Sequence, residues 1–170
     1  MSDLIRTKNS DVTIRFAKEE DVTLILSLIK GIADYEKLLH EVVATEEILR
    51  KSLFGKHKYA EVIIAEYKNE TAGFALFFHN FSTFLGKPGI YLEDLFVKPE
   101  LRGKGIGKIL LTYLGKLAIE RDCGRVEWSV LDWNEPAIKF YKNLGAQPLS
   151  EWTVLRVAGE AIKKLADQFN

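Results

Sequence analysis

Residues 91–108 read Y-L-E-D-L-F-V-K-P-E-L-R-G-K-G-I-G-K, and few local structures accept that order. An apolar run of strand character carries two adjacent carboxylates, Glu93 and Asp94, and then meets a breaker at Pro99. Gly103, Gly105 and Gly107 follow, after which Ile106, Leu110, Tyr113, Leu114 and Leu117 recur at helical spacing to about Arg121. A strand, a glycine turn and a helix N-terminus in that order leave backbone N–H groups free to face an anion. Arg102 and Lys104 add cationic reach. The common phosphate fingerprints do not apply. Both G-x-G-x-x-G and the Walker A pattern, counted from Gly103, would need glycine where Lys108 stands. What remains, Arg102-x-x-Gly105-x-Gly107, admits two readings: a phosphate cradle, or a strand-to-helix turn with packing glycines.

The rest of the chain supplies elements to either side. Val12, Ile14 and Phe16 alternate with polar neighbours as a strand does, after a polar stretch over 1–11 that is expected to fray. Glu19, Glu20 and Asp21 put negative charge at the start of a helix that runs to about Tyr35. Thr45 is an N-cap for a second helix that Gly55 ends. Strands are expected at 59–67 and 72–81, joined by a hairpin at Lys68-Asn69-Glu70-Thr71, with a loop at 83–89. Further on come a strand at 125–131, a helix at 134–144 with Asn134 as N-cap and Gly145 just past its end, a last strand at 152–157 and a terminal helix at 160–169. The order is that of a mixed α/β sheet with an antiparallel first half, and 170 residues suit a single domain.

Composition removes several classes. Lys plus Arg number 24 and so do Asp plus Glu, so no global field recruits nucleic acid or an anionic membrane. No apolar run approaches the ~20 residues that cross a bilayer. Cys123 is the only cysteine, which rules out an internal disulfide and suits a reducing cytoplasm. His40, His57 and His79 are scattered without metal-ligand spacing, so no metal site is expected.

Three candidate residues carry alternatives. Glu93 and Asp94, as strand neighbours, face opposite sides of a sheet and can serve one site only across a bulge. They read either as a general base with a clamp for a cation, or as salt-bridged residues on a sheet edge. Tyr141 shares a helix stripe with Ile138 and Leu144, which also suits a core tyrosine.

The element order, R-G-K-G-I-G at 102–107 and N-E-P-A-I-K-F-Y-K-N-L-G-A at 134–146 resemble the GNAT superfamily of acetyl-CoA-dependent N-acetyltransferases. Y-L-E-D-L-F-V at 91–97, V-L-D-W-N at 130–134 and F-Y-K-N-L-G-A at 140–146 resemble, more narrowly, the diamine (spermidine/spermine-type) acetyltransferases. The resemblance implies a mixed, mostly antiparallel sheet, with a V-shaped split between two parallel central strands and helices on its flanks. Acetyl-CoA would lie in the split as co-substrate. Leu95, Phe96 and Val97 would pair with the pantetheine arm. Arg102, Gly103, Lys104, Gly105, Ile106, Gly107 and Lys108 would hold the pyrophosphate. Asn134, Glu135, Pro136 and Ala137 would line its other side.

By the same resemblance Tyr141 is the general acid that protonates the departing thiolate. Tyr35, Glu36, Asp94, Glu127, Trp128, Ser129 and Glu151 are substrate-side positions. Glu93 is a substrate-side position too, and it is the candidate, directly or through a water, to take the proton of the amine. A primary amine with pKa near ~10.4 is ammonium at neutral pH and must lose a proton before it attacks. Ser82 and Phe84 stand where polyamine-acetylating relatives carry an acidic residue and a tryptophan. Together with Phe81-Ser82-Thr83, they resemble the thialysine-type branch, which prefers an amino-acid-like amine. A homodimer is implied, with 152–157 contributing. Acetylation of a protein or peptide, and a non-catalytic acyl-CoA-binding module, are the competing readings.

Overall fold

The computed structural model describes residues 4–169. A six-stranded sheet runs in sequence order: β1 (Ile5–Arg6), β2 (Val12–Phe16), β3 (Glu61–Tyr67), β4 (Glu70–Ser82), β5 (Lys87–Val97) and β6 (Val126–Trp128). Every neighbouring pair is antiparallel except β5 and β6, which are parallel. Five α-helices accompany it: α1 (Val22–Tyr35), α2 (Glu46–Phe54), α3 (Ile106–Glu120), α4 (Glu135–Asn143) and α5 (Glu160–Ala166). The contacts divide the chain into two compact units, Met1–Ser129 and Val130–Asn170.

In the first unit, ladder register assigns side chains to faces, because cross-strand partners share one. Ile64 pairs with Phe74, and Phe74 with Phe96; these line the face covered by α1 and α2, where Val22, Ile25, Leu28, Leu49 and Leu53 are buried. The alternate set (Ile63, Ala75, Phe77, Leu92) faces the other way, and α3, with Leu110 and Leu114 fully buried, packs on β3, β4 and β5. α1 approaches so closely at Gly31 that an added Cβ would meet the Phe96 ring at 2.9 Å. Arg15 of β2 ties β3 to the start of α1, with both terminal nitrogens on Asp21 at 2.7 and 2.8 Å and Nε on Glu66 at 2.9 Å.

The β3–β4 hairpin turns at Lys68 and Asn69, both with positive φ (51° and 67°), the two-residue geometry that matches strand twist. Thr45 caps α2, its hydroxyl accepting from the Ile48 N–H at 3.3 Å. Two boundaries move outward. β5 begins at Lys87, inside the expected 83–89 loop, because Ser82 pairs with Lys87 and Phe81 with Pro88. Ile5 and Arg6, within the stretch expected to fray, pair with Ile14 and Thr13; residues 1–3 lie outside the described ones.

The second unit holds α4 and α5. Asn134, itself buried, caps α4 through its side-chain oxygen, and Gly145 follows the helix at φ +94°, as both residue types suggested. The strand expected at 152–157 belongs to no ladder among the described residues. Alternating apolar residues make a strand only when another strand accepts their backbone groups. Every described residue from Gln147 to Phe169 is exposed. β6 is correspondingly shorter than the expected 125–131, and among the described residues it pairs with β5 alone, as the expected parallel partner.

Candidate active site

The site is built where β5 changes register. Phe77 pairs with Leu92, yet Leu76 pairs with Asp94, so Glu93 is an extra residue without a cross-strand partner. This is the β-bulge that the two carboxylates required. It puts Leu92 and Asp94 on opposite faces, although i and i+2 share one in a regular strand. Leu92 stays buried on the α3 face, Asp94 moves to the α1 face, and Glu93 is exposed.

Asp94 shares that face with the end of α1. Burial, then the Glu93 carboxylate, then Glu36 push its carboxyl up from 3.8 to about 6. Glu36, the residue following α1, is half-buried, and burial raises its carboxyl too. Asp94, Glu93 and Glu36 thus act on one another as like charges, a locally negative spot in a chain of zero net charge. Such a spot attracts a cation.

The second feature is an open edge. β6 pairs with β5 only from Ile90 to Leu92, and β5 then continues from Glu93 to Val97 with no strand partner on that side among the described residues. Backbone groups on that side can pair with an extended ligand as a strand would, although the Val97 carbonyl already accepts from Arg102 Nε at 3.1 Å. Leu95, Phe96 and Val97 occupy this stretch.

Beyond Val97 the chain reaches the glycine turn. Gly103 and Gly105 both have φ +78°, a left-handed conformation that L side chains rarely adopt, and a Cβ at either would meet nothing within 4 Å. Gly105 is the N-cap of α3, and no side chain caps that end. Ile106 anchors the first turn with a fully buried side chain, so it offers only its backbone outward, while Lys104 and Lys108 are exposed beside it. A turn with room against its backbone, uncapped amides and adjacent cations fits a diphosphate. Arg102 lies back over the Tyr35 ring, 4.4 Å from its centre.

Other expected positions are occupied differently. Glu127 accepts from Asn80 Nδ2 at 2.7 Å and lies 2.8 Å from Arg125 Nε, so its carboxylate is already neutralised within the sheet. Ser129 Oγ lies 2.8 Å from the Tyr91 hydroxyl, and Trp128 is the last residue of β6. Ser82 is buried and its hydroxyl accepts from the Leu85 N–H, while Phe84 projects from the hairpin tip at 94% exposure. Asn80 and Tyr91 had no signal in sequence; Arg125 had one, since i and i+2 on a strand share a face with Glu127. In the second unit, Asn134, Glu135, Pro136 and Ala137 form the capped start of α4, Tyr141 stands one turn later with its ring 5.2 Å from that of Phe140, and Glu151 is exposed. A cavity of about 500 Å³ bordered by Phe16, Phe54, Tyr59, Phe78 and His79 includes none of the expected site residues.

A family model described as "Acetyltransferase (GNAT) family" matches residues 29–146. The chain belongs to that family. It is an enzyme of the acyltransferase class, and its sheet with one parallel pair is the GNAT fold. It is 40% identical to a thialysine N-epsilon-acetyltransferase of Bos taurus, over 91% of this chain and 97% of that one. It is 34% identical to an L-ornithine N5-acetyltransferase of Arabidopsis thaliana, over 92% and 88%. An integron cassette protein from the mobile metagenome of V. cholerae superposes with a TM-score of 0.77 at 29% identity, covering 92% of this GNAT chain and 98% of the other.

No helix among the described residues is long and apolar enough to cross a membrane. Burial pushes the Cys123 thiol up, away from nucleophilic use.

Proposed function

We propose that this chain, acting as one domain over residues 1–170, transfers acetyl from acetyl-CoA to the side-chain amine of a small lysine- or ornithine-like substrate. The observation that carries this reading is the bulge at Glu93, which presents a carboxylate where a strand with an open edge begins. The open edge from Glu93 to Val97 receives the pantetheine arm, and the turn from Arg102 to Lys108 receives the pyrophosphate. Asn134 to Ala137 line the cofactor's other side, by their likeness to the family motif. Tyr35, Glu36 and Asp94 draw the ammonium in. The salt bridge at Glu127 argues for a role in shaping this wall rather than in binding charge.

In the ternary complex Glu93, directly or through a water, takes a proton from the ammonium. The amine nitrogen then bonds to the thioester carbonyl carbon. As the carbon–sulfur bond breaks, Tyr141 gives its phenolic proton to the thiolate, and the second proton leaves the nitrogen as the amide forms, restoring the phenol directly or through water. A thiol with pKa near ~8.5 leaves more readily when protonated. Nothing in this route needs a metal or a cysteine.

The amino-acid-like substrate is supported by the names of the thialysine and ornithine acetyltransferases above, and by Ser82 and Phe84 at the hairpin tip. A second copy is the proposed partner. Leu149, Trp152, Val154, Leu155, Ile162 and Phe169 are all exposed, more apolar surface than a monomer ordinarily carries in one segment. Light scattering at several concentrations reads the state directly. A cytoplasmic location fits the single cysteine.

A thiol-release assay with thialysine, ornithine, lysine, diamines and spermidine tests the activity. The amino-acid-like amines should be turned over fastest. If no amine raises free CoA while acetyl-CoA still binds, a non-catalytic acyl-CoA module is the better reading; release only with peptides would favour protein acetylation. Glu93→Gln should lower turnover by about 10²-fold and flatten the rise of rate with pH. Tyr141→Phe should lower turnover with acetyl-CoA affinity unchanged, and an unaltered rate would remove it as the acid.

A further inference from the structure

Arg102 joins three parts of the first unit that are distant in sequence or function. Its guanidinium carbon lies 4.4 Å from the centre of the Tyr35 ring and 5.9 Å from that of Phe96. Its Nε donates to the Val97 carbonyl at 3.1 Å. Tyr35 ends α1 beside Glu36, and Val97 ends the open half of β5. One cation thus rests on the acceptor-side ring and on a carbonyl of the carrier-side strand. Aromatic faces attract ammonium and guanidinium alike. Arg102 therefore sits where a cationic amine would.

What holds it there yields to an anion. Arg102 is exposed and makes no carboxylate ion pair among the described residues; its hydrogen bond goes to a neutral carbonyl. Phosphate oxygens accept from a guanidinium by paired, charge-assisted hydrogen bonds, a stronger arrangement than a ring face and one carbonyl. The uncapped glycine turn that would hold such phosphates begins at the next residue, Gly103.

We propose that Arg102 is a placeholder for the amine. In the free protein it covers Tyr35 and engages the Val97 carbonyl, and a diphosphate group at the Gly103–Lys108 turn draws it off both. The ring then opens to the substrate amine, and the Val97 carbonyl opens to an amide of the acyl carrier. The carrier binds first because it unlocks the acceptor site. This rests on the reading of the turn as the carrier's diphosphate site. Coupling of this kind is reciprocal: CoA strengthens amine binding by the factor by which the amine strengthens CoA binding, typically about 5- to 150-fold.

The test follows the Arg102 Nε–H signal by NMR in protein labelled at arginine, assigned by its loss in Arg102→Gln, while calorimetry measures 1,5-diaminopentane binding with and without saturating CoA. The Nε–H signal should leave its ring-shifted position as CoA saturates. Diamine affinity should rise about 10-fold with CoA in the wild type. Arg102→Gln should bind diamine without CoA as tightly as the wild type does with it, and should bind CoA more weakly. A signal that stays in place while CoA binds overturns the proposal. So does a diamine affinity indifferent to CoA, which leaves the amine reading intact. Diamine binding in neither state overturns the placeholder, while the thiol-release assay with ornithine and lysine decides the amine reading separately.

Discussion

The two halves of β5 belong to one strand but serve differently. From Lys87 to Leu92 the strand pairs with β4, and over Ile90–Leu92 also with β6; Ile90 and Leu92 are buried there. From Glu93 to Val97 only β4 accompanies it, and the two carboxylates stand where the second neighbour is lost. A strand that satisfies its backbone on both sides has nothing to offer a ligand. The same strand with one side open has a row of polar groups to offer, and the bulge leaves the Glu93 carboxylate exposed where that open side begins.

That contrast can be broken residue by residue. Leu92→Ala, on the paired half, should cost about 3 kcal/mol of stability, since it empties a fully packed position. Chemical denaturation would read it, and CoA affinity corrected for the folded fraction should not move. Asp94→Asn, on the open half, should do the opposite and stabilise the free protein. A carboxyl whose folded pKa is near 6 rather than 3.8 favours the folded state while protonated, and that stability is lost as pH rises from about 4 to about 6. The shift corresponds to roughly 2–3 kcal/mol at pH 7, which Asn should recover. The cation-binding gain runs the other way: amine KM should fall as pH rises through about 6 in the wild type, and the inflection should vanish in Asp94→Asn. Gly105→Ala should cost about 1 kcal/mol of stability at its φ of +78°, with CoA affinity falling more than stability does. Calorimetry of both quantities separates a cradle from a mere turn. Trp152→Ser should change stability of an isolated chain little, because the side chain is 73% exposed, but should weaken self-association if a second copy covers it.

What could be read beforehand was local. The apolar stripe from Ile106 to Leu117, the Thr45 and Asn134 caps and the Gly145 stop are decided within a few residues, and each appears as expected. The bulge could be required but not located, because it depends on which residue of β4 stands opposite each residue of β5. Glu127 was expected on the substrate side; the hydrogen bond that Asn80 donates to it comes from 47 residues away along the chain, where no local pattern announces it. The strand expected at 152–157 belongs to no ladder among the described residues for the same reason: its pattern is sound, but pairing is a property of two segments.

Amide hydrogen exchange across β5, with and without CoA, tests the central claim most directly. In the free protein, amides of Ile90–Leu92 should exchange slowly and those facing the open edge between Glu93 and Val97 faster. CoA should slow that second group and the Gly103–Lys108 turn while leaving Ile90–Leu92 unchanged. CoA binding that leaves exchange from Glu93 to Val97 untouched would contradict the account.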